Sequence, residues 1–486
     1  MEGAGPAGFR EGRLYIGGAW RDADGGRTVP VVNPADGGTI GRMAQGGAAE
    51  ATAAVAAAAV AFPGWAATPA PERAAALRRV AALLSERREE IAAVMTAEQG
   101  KPLAEARGEV AITADYFLWN AEEARRIYGD TIPASTAGKR LLALRQPVGV
   151  AAAITPWNFP ASMLGRKLAP ALAAGCTAVC KPAPATPLTA CAVFACIHDA
   201  GLPPGVANLV AGPAEPIGEV FLTDPRVRKI SFTGSTAVGK MLMRRAADGL
   251  KRVSLELGGH APFLVFADAD LDAAAQGVVA SRFRNAGQTC ICANRLYVQA
   301  RAAAALQERL VAAVAALRVG RGDTPGVDVG PLIGEGAVAR AEAHVADALA
   351  RGARVLYGGH RLPGPGHFFE PTLIAGAPAE ALVAREETFG PVIPLWSFED
   401  EAEAVRLANG TPYGLAAYVY TRDLSRAIRV TEALEYGIVG VNDPAPTVVQ
   451  APFGGVKESG MGREGGYEGV QGFLETKYVS IGLMPS

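Results

Sequence analysis

The sequence predicts an α/β protein in which strands of a parallel sheet alternate with helices. In the first half of the chain, short apolar runs, each followed by Pro or Gly, alternate with segments whose apolar residues recur at helical spacing. The predicted strands are 151–155, 177–181, 207–210 and 229–233, and the helices between them are 161–174, 188–200 and 214–224. This order is typical of a parallel sheet covered by helices on both faces.

A second alternation of strands and helices predicts a second α/β domain. Its strands are predicted at 262–266, 295–299 and 392–397, and its helices at 270–285 and 302–317. Two further strands, 140–146 and 475–481, are predicted to be isolated and outside either sheet, and such strands often pair with another subunit. The Ala-rich segment 48–61 is too weakly apolar for a membrane span and continues through Pro63 and Trp65, which predicts a surface helix.

Composition excludes several classes of protein. Half of the residues are hydrophobic, 20% are charged and the net charge is −1, so the chain has no general basic field for nucleic acid. We find no apolar run near the roughly 20 residues that a membrane span needs. The N-terminus lacks a basic segment followed by an apolar one. We therefore expect a cytoplasmic protein without a nucleic-acid or membrane partner.

The six cysteines do not form a metal-binding pattern. None of their spacings is Cys-x-x-Cys, and with five histidines in the chain we find no zinc set, so no metal is expected. Four of them lie among Ala, Val and Leu and are interpreted as packing residues: Cys176, Cys180, Cys191 and Cys196. The other two, Cys290 and Cys292, lie in the polar, Gly-containing stretch 283–292.

Three residue types needed for covalent chemistry on a carbonyl occur in distinctive settings. Cys290 is a candidate nucleophile, Glu256 is a candidate base set between leucines and followed by paired glycines, and Asn158 is a candidate amide donor. The alternatives are that Cys290 is a buried small hydrophobe and that Glu256 is a salt-bridged structural acid.

A phosphate-binding turn is predicted at 230–240. This segment has a strand, a tight Gly turn and a helix that opens on Ser235 or Thr236, where free backbone N–H groups favour an anion. It is not the G-x-G-x-x-G fingerprint, and a plain helix N-cap is the alternative. Lys181 lies at a strand end, where α/β sheets place their ligands.

Seven motifs then carry a family resemblance. They are PWNFP at 156–160, KP at 181–182, FTGS at 232–235, LELGG at 255–259, GQTC at 287–290, ETFGP at 387–391 and PFGG at 452–455. In these motifs and their order the chain resembles the aldehyde dehydrogenase superfamily, over nearly its whole length.

This resemblance implies a subunit of three parts. They are a Rossmann-like nicotinamide-cofactor domain (1–125 and 146–257), an α/β catalytic domain (258–450) and a bridging β-element (126–145 and 473–486). In the family, the bridging element makes homodimers or homotetramers, so a homo-oligomer is expected.

The resemblance also implies a mechanism. The Cys290 thiolate attacks the aldehyde carbon, and the Asn158 amide with the Cys290 backbone N–H stabilises the oxyanion. Hydride then passes to the nicotinamide, and Glu256 activates the water that releases the acid. Relatives that pass the acyl group to coenzyme A tend to lack this glutamate, so hydrolysis to a free acid is favoured.

The cofactor residues follow from the same resemblance. Lys181 is expected at the adenosine ribose, Ser235 at the pyrophosphate, Glu387 at the nicotinamide ribose and Phe389 beside the nicotinamide ring. Four further residues are assigned to this site: Thr155, Trp157, Gly234 and Leu257. NAD-preferring relatives usually have Lys-Pro-x-Glu, whereas Pro184 here neither repels a 2′-phosphate nor accepts from a hydroxyl. NADP should therefore be tolerated, and the choice between NAD and NADP stays open.

The substrate side is most similar to the succinate-semialdehyde dehydrogenases. There, arginines matching Arg166 and Arg284 hold the far carboxylate of the substrate, and a guanidinium suits that group. Thr447 stands where that family has paired serines. Either arginine has the alternative of pairing with a nearby acid. The open functional alternatives are 2-oxoglutarate or glutarate semialdehyde, a broad aldehyde dehydrogenase, and a cofactor-independent thiol esterase.

The second thiol of the loop suggests redox control. Cys290 and Cys292 are hypothesised to form a strained, reversible disulfide, because both lie in one short loop. The alternative is that Cys292 packs behind the nucleophile.

Overall fold

The computed structural model describes residues 10–484, which form four sheets surrounded by helices. The strands are β1 Glu11–Gly12, β2 Leu14–Ile16, β3 Ala19–Arg21, β4 Thr28–Val32, β5 Thr39–Ala44, β6 Asp130–Ile132, β7 Lys139–Pro147, β8 Val150–Ile154, β9 Thr177–Lys181, β10 Ala207–Leu209, β11 Val227–Thr233, β12 Arg252–Glu256, β13 Ala261–Val265, β14 Ala293–Gln299, β15 Arg354–Tyr357, β16 Thr372–Ala375, β17 Val392–Phe398, β18 Ala416–Tyr420, β19 Ile438–Val441, β20 Gly460–Met461 and β21 Leu474–Gly482.

The helices cover both faces of the two larger sheets. They are α1 Ala48–Ala67, α2 Ala70–Glu86, α3 Arg88–Gln99, α4 Leu103–Ala124, α5 Ser162–Ala174, α6 Pro187–Asp199, α7 Ala214–Thr223, α8 Thr236–Ala246, α9 Leu271–Arg282, α10 Ala300–Ala315, α11 Glu335–Ala350, α12 Leu382–Arg385, α13 Glu401–Asn409, α14 Leu424–Ala433 and α15 Glu468–Gln471. The predicted α/β class is confirmed.

An eight-stranded sheet forms the first unit, in the order β20-β12-β11-β8-β9-β10-β2-β3. The five central strands are parallel, and β20 and β2 pair with them antiparallel. Parallel pairing brings the carboxyl ends of these strands to one edge, where Thr233 of β11 lies opposite Glu256 of β12. The apolar runs predicted as strands here are β8, β9, β10 and β11, each displaced by at most two residues.

A seven-stranded sheet forms the second unit, in the order β15-β16-β17-β14-β13-β18-β19. All of its pairs are parallel except β15 with β16. Helix α9 leads from this sheet into the segment that carries Cys290. Its start is fixed by the Asp270 carboxylate, which accepts hydrogen bonds from the backbone N–H groups of Asp272 and Ala273, both at 3.1 Å.

A third sheet joins two segments that are distant in the sequence, in the order β21-β7-β6. The segments predicted as strands near 140–146 and 475–481 lie outside both large sheets, as expected. The prediction that they are isolated is wrong, because β7 and β21 pair with each other antiparallel from Leu474 opposite Pro147 to Gly482 opposite Lys139. β6 and β21 remain as the edges of this sheet. A smaller sheet, β1-β5-β4, lies near the N-terminus.

Helix α1 is, within residues 10–484, the one helix long and apolar enough to cross a membrane by length and composition alone. It packs against β9 and α7 and buries Ala51, Ala54, Val55 and Ala58 in the first core. One face is therefore inside the domain, while Val60 on the other side of the helix is exposed.

Candidate active site

A cavity lies where the carboxyl edge of the first sheet meets the second unit. It brings together nine of the predicted site residues: Trp157, Asn158, Gly234, Ser235, Glu256, Leu257, Cys290, Glu387 and Phe389. The remaining lining residues are Pro156, Thr233, Gly258, Ile333, Gly336, Ala337 and Arg340. Residues from motifs spread over more than two hundred positions of sequence thus face one space.

A second, smaller cavity reaches the same thiol. It brings together Cys290 and all three predicted substrate residues, Arg166, Arg284 and Thr447. The other lining residues are Glu109, Ile112, Phe159, Ser162, Met163, Thr289, Ile291 and Phe453. Because Cys290 lines both cavities, its thiol lies between a space lined by the predicted cofactor residues and one lined by the predicted substrate residues.

Three predicted cofactor residues, Thr155, Lys181 and Pro184, line neither cavity. Thr155 and Lys181 lie at the carboxyl ends of adjacent strands, and the Thr155 N–H donates to the Lys181 carbonyl at 3.1 Å. Pro184 is exposed nearby. Burial lowers the pKa of Lys181 to about 8. These residues therefore lie along the carboxyl edge of the first sheet, outside the larger cavity.

The backbone before Cys290 adopts a rare conformation. Asn285, Ala286 and Gly287 have successive φ values of 50°, 55° and 74°, all left-handed. A Cβ atom on Gly287 would lie 2.3 Å from the Gly390 carbonyl oxygen, so only glycine fits there. Left-handed Ala is strained and persists only when surrounding contacts hold it, and such strain clusters at functional sites.

Cys290 is 8% exposed. Burial raises the pKa of Cys290 well above its ordinary value, and the negative charge of Glu256 raises it further. A thiolate here would be desolvated beside a carboxylate, so the thiolate that the family mechanism uses needs a base to take its proton.

Glu256 is 2% exposed, and neither of its carboxylate oxygens has a hydrogen-bond partner among the described residues. Burial raises the pKa of Glu256 to about 7, and the negative charge of Glu464 adds to the rise. The cations Arg166 and Lys167 oppose it. Without a direct ion pair, Glu256 does not behave as the structural acid that the sequence left as an alternative. A pKa near neutrality suits a general base.

The Asn158 amide is positioned beside the thiol loop. Its Nδ2 donates to the Gln288 carbonyl at 3.0 Å, and an amide nitrogen carries a second hydrogen that can donate elsewhere. The backbone N–H of Cys290 has no hydrogen-bond partner in the described part of the chain. These two N–H groups are the donors that an oxyanion hole would use.

The two arginines of the smaller cavity have different partners. Arg166 is 6% exposed, donates from Nε to the Tyr116 hydroxyl at 2.8 Å, and lies 3.9 Å from Glu464. Arg284 forms no ion pair within residues 10–484 and stands over the Phe159 ring at 5.1 Å. The alternative of pairing with an acid thus applies partly to Arg166 and not to Arg284.

The larger cavity has features that fit a dinucleotide. Ser235 is the N-cap of α8, and its hydroxyl accepts from the Val238 N–H at 3.4 Å, which leaves the N–H groups of the first turn for an anion. Phe389 has a left-handed φ of 51° and meets Trp157 edge to face at 5.5 Å. Burial raises the pKa of Glu387 to about 8, and its Oε1 accepts from the Gly259 N–H at 3.3 Å.

The Cys292 thiol is buried and makes polar contacts on both sides. Arg282 Nη1 donates to its sulfur at 3.1 Å, and the thiol donates to the Gly287 carbonyl at 3.3 Å. Burial raises the pKa of Cys292, and Arg282 opposes this. All six cysteines are free and buried.

Sequence reasoning missed several lining residues. Phe159 and Phe453 lie inside motifs that were quoted, and their aromatic character was an available signal. Arg340 comes from α11 and Glu109 from α4, where charged residues usually face solvent. Nothing local distinguishes these two, because their position depends on packing between distant elements.

Comparison with known proteins agrees with this geometry. The chain belongs to the aldehyde dehydrogenase family, which matches residues 20–479. It is 54% identical over 475 residues to the succinate-semialdehyde dehydrogenase [NADP(+)] of Escherichia coli (strain K12), covering 98% of each chain. It is 52% identical over 475 residues to the glutarate-semialdehyde dehydrogenase of Pseudomonas putida, again covering 98% of each.

A solved structure supports the fold match. The crystal structure of an Escherichia coli NADP-dependent enzyme superposes with a TM-score of 0.97 at 53% identity, covering 98% of this chain and 99% of that one. The predictions of the family and of an NAD(P)-dependent aldehyde dehydrogenase are confirmed.

Proposed function

We propose that this enzyme oxidises a dicarboxylic semialdehyde to the dicarboxylic acid, with succinate semialdehyde as the preferred substrate. The observation that carries the proposal is that Arg166, Arg284 and Cys290 line one cavity. Two guanidinium groups in an enclosed space favour a second carboxylate on the aldehyde substrate. The names of the two relatives above support the same substrate class.

In the proposed mechanism, Cys290 attacks the aldehyde carbon. The thiol is protonated, so its proton passes to the Glu256 carboxylate, whose pKa of about 7 permits this near neutrality. The sulfur–carbon bond forms a thiohemiacetal, and the oxyanion receives hydrogen bonds from Asn158 Nδ2 and the Cys290 N–H. Removing one such donor typically costs about 2.7–4 kcal/mol.

The remaining steps release the acid. The nicotinamide cofactor, when bound, supplies the hydride acceptor. Loss of a hydride from the thiohemiacetal carbon leaves a thioester on Cys290. Glu256 releases the thiol's proton to solvent and then takes a proton from water, whose hydroxide adds to the thioester carbon. The carbon–sulfur bond breaks and the proton on Glu256 returns to the sulfur, which gives the carboxylic acid and the Cys290 thiol. Glu256 and Cys290 line the same cavity, which supports both proton transfers.

We propose that NADP is accepted as well as NAD. The residue at the position where NAD-preferring relatives have glutamate is Pro184, which carries no charge to repel a 2′-phosphate. Lys181, the last residue of β9, places a positive charge near the same phosphate position. The NADP(+) in the name of the Escherichia coli relative supports this choice.

The length of the substrate is the second open point. One methylene in a hydrophobic pocket discriminates by about 1–3 kcal/mol, so glutarate semialdehyde remains a second candidate, supported by the relative of that name. The test measures formation of reduced cofactor with succinate semialdehyde, glutarate semialdehyde and butyraldehyde, each with NAD and NADP. The highest kcat/KM for succinate semialdehyde is expected. Equal kcat/KM for butyraldehyde would overturn the dicarboxylic assignment.

We also propose the assembly and the division into parts. The edge strand β21 is nine residues long and suits pairing with a second copy, which supports a homodimer or homotetramer in the cytoplasm. The proposed parts are a cofactor domain built on the eight-stranded sheet, a catalytic domain built on the seven-stranded sheet and a bridging element built on the β21-β7-β6 sheet. Under oxidation, Cys290 and Cys292 are proposed to form a reversible disulfide that dithiothreitol reopens.

A further inference from the structure

A buried ion pair, Lys101 with Glu109, lies at the wall of the smaller cavity, which Glu109 lines. No hydrogen bond or ion pair within residues 10–484 joins it to the Cys290 thiol or the Glu256 carboxylate. Lys101 Nζ donates to Glu109 Oε2 at 2.5 Å, and both side chains are at most 1% exposed. Burying two charges is costly unless further hydrogen bonds satisfy them. Here those further bonds all go to the backbone beside the active site.

The lysine holds the loop that carries the amide donor. Lys101 Nζ donates to the Asn158 backbone carbonyl at 2.7 Å and stands 4.0 Å from the centre of the Phe159 ring. The glutamate holds the start of the next helix. Glu109 Oε1 accepts from the N–H groups of Ala161 and Ser162 at 2.9 and 3.1 Å, at the beginning of α5. Arg166 lies one turn further along that helix.

The thiol loop is tied to the same carbonyl. Asn285 Nδ2 donates to the Asn158 carbonyl at 3.0 Å, so two donors meet on one oxygen. The Asn285 backbone N–H donates to Glu105 Oε2 at 2.9 Å. Glu105 and Glu109 are four residues apart on α4 and thus share one face. The first turns of α4 therefore contact two backbone segments, the one that follows Asn158 and the one that leads to Cys290.

We propose that Lys101 and Glu109 are positioning residues that set the Asn158 amide relative to Cys290. The inference rests on the proposed role of Asn158 as oxyanion donor. Lys101 acts on the carbonyl of Asn158, and the amide of the same residue must meet the oxyanion within a few tenths of an ångström to stabilise it. The pair therefore affects the chemical step for every aldehyde, in contrast to Arg284, which affects substrates with a second carboxylate.

The test begins with Lys101→Met, which keeps the length of the side chain and removes its donors. We expect kcat to fall about ten- to a hundredfold for both succinate semialdehyde and butyraldehyde, with the dissociation constant of NADP unchanged. The matched control is Lys229→Met. Lys229 is also 1% exposed, donates to Ser254 Oγ at 2.6 Å and stands 4.8 Å from the Phe473 ring, and it lines neither cavity. The same fall in that control would overturn the proposal.

A second variant separates position from stability. Lys101→Met with Glu109→Gln leaves no unpaired buried charge and keeps an oxygen for the α5 N–H groups. Thermal stability should recover relative to Lys101→Met, while kcat stays low. Recovery of kcat together with stability would mean that the pair is only structural.

A double-mutant cycle with Asn158→Ala tests the route of the effect. If Lys101 acts through Asn158, adding Lys101→Met to Asn158→Ala lowers kcat no further. Multiplicative falls would overturn the proposal. Because butyraldehyde has no second charge, its turnover decides the positioning role even where succinate semialdehyde is not a substrate, so failure of the two proposals is distinguishable.

Discussion

The proposed reaction uses two titratable side chains, those of Glu256 and Cys290. Burial raises the pKa of both. With a pKa of about 7, Glu256 is a proton acceptor above that pH and is protonated below it. The Cys290 thiol by itself would ionise only at much higher pH. Near neutrality, activity should therefore follow the ionisation of Glu256.

This assignment predicts a pH profile. In the wild type, kcat/KM should rise as pH increases through about 7, and Glu256→Gln should lose that rise and retain only an increase at high pH. Glu464→Gln removes a negative charge that raises the pKa of Glu256, so it should shift the rise to lower pH. An unchanged profile in Glu256→Gln would show that another group accepts the proton. The measurement is the initial rate of cofactor reduction across pH.

Arg284 gives a prediction about substrate choice. Arg284→Ala should raise KM for succinate semialdehyde about a hundredfold and leave butyraldehyde nearly unaffected, because a buried carboxylate that loses its charged partner costs about 3 kcal/mol. The control is Arg301→Ala, an exposed position at the start of α10. Equal effects of Arg284→Ala on both aldehydes would make this side chain structural.

At the scale of elements, the loop from α9 to Cys290 depends on three left-handed residues. Gly287→Ala should lower the free energy of unfolding by at least about 2 kcal/mol, since its Cβ would meet the Gly390 carbonyl at 2.3 Å and alanine strains this φ. The control is Ala286→Gly, which relieves left-handed strain without adding an atom. Chemical denaturation measures both, and a stable Gly287→Ala would mean that the loop moves readily.

The strands show which parts of the fold could be predicted from the sequence and which could not. Strands β8, β9 and β11 were predictable because buried parallel strands are continuous apolar runs. The β7–β21 pair was not, because its register depends on segments joined only in the folded chain. At the site, side-chain chemistry identified Cys290. The raised pKa of Cys290 was not predictable, since burial beside Glu256 is a property of packing.

At the scale of the whole molecule, β21 is expected to support both stability and association. A chain ending at residue 473 loses the partner of β7 along nine residues, so its thermal midpoint and its oligomeric state should both fall. A chain ending at residue 482 keeps the strand and should match the wild type. Calorimetry and light scattering provide the two readouts. A truncated chain that still associates would show that the subunits meet elsewhere.

The first sheet contains strands that are far apart in the sequence. β2 and β3 lie at one edge of the sheet and β20 lies at the other. Ser459, just before β20, donates from Oγ to the Gly258 carbonyl at 2.7 Å, and its own carbonyl accepts from the Leu257 N–H at 3.0 Å. Both contacts lie beside Glu256. During synthesis the ribosome releases the thiol loop long before this segment, and nascent chains fold from the N-terminus onward. The nascent enzyme therefore carries its nucleophile before Ser459 is present to fix the backbone beside Glu256, and its chemistry waits for the segment that contains β20.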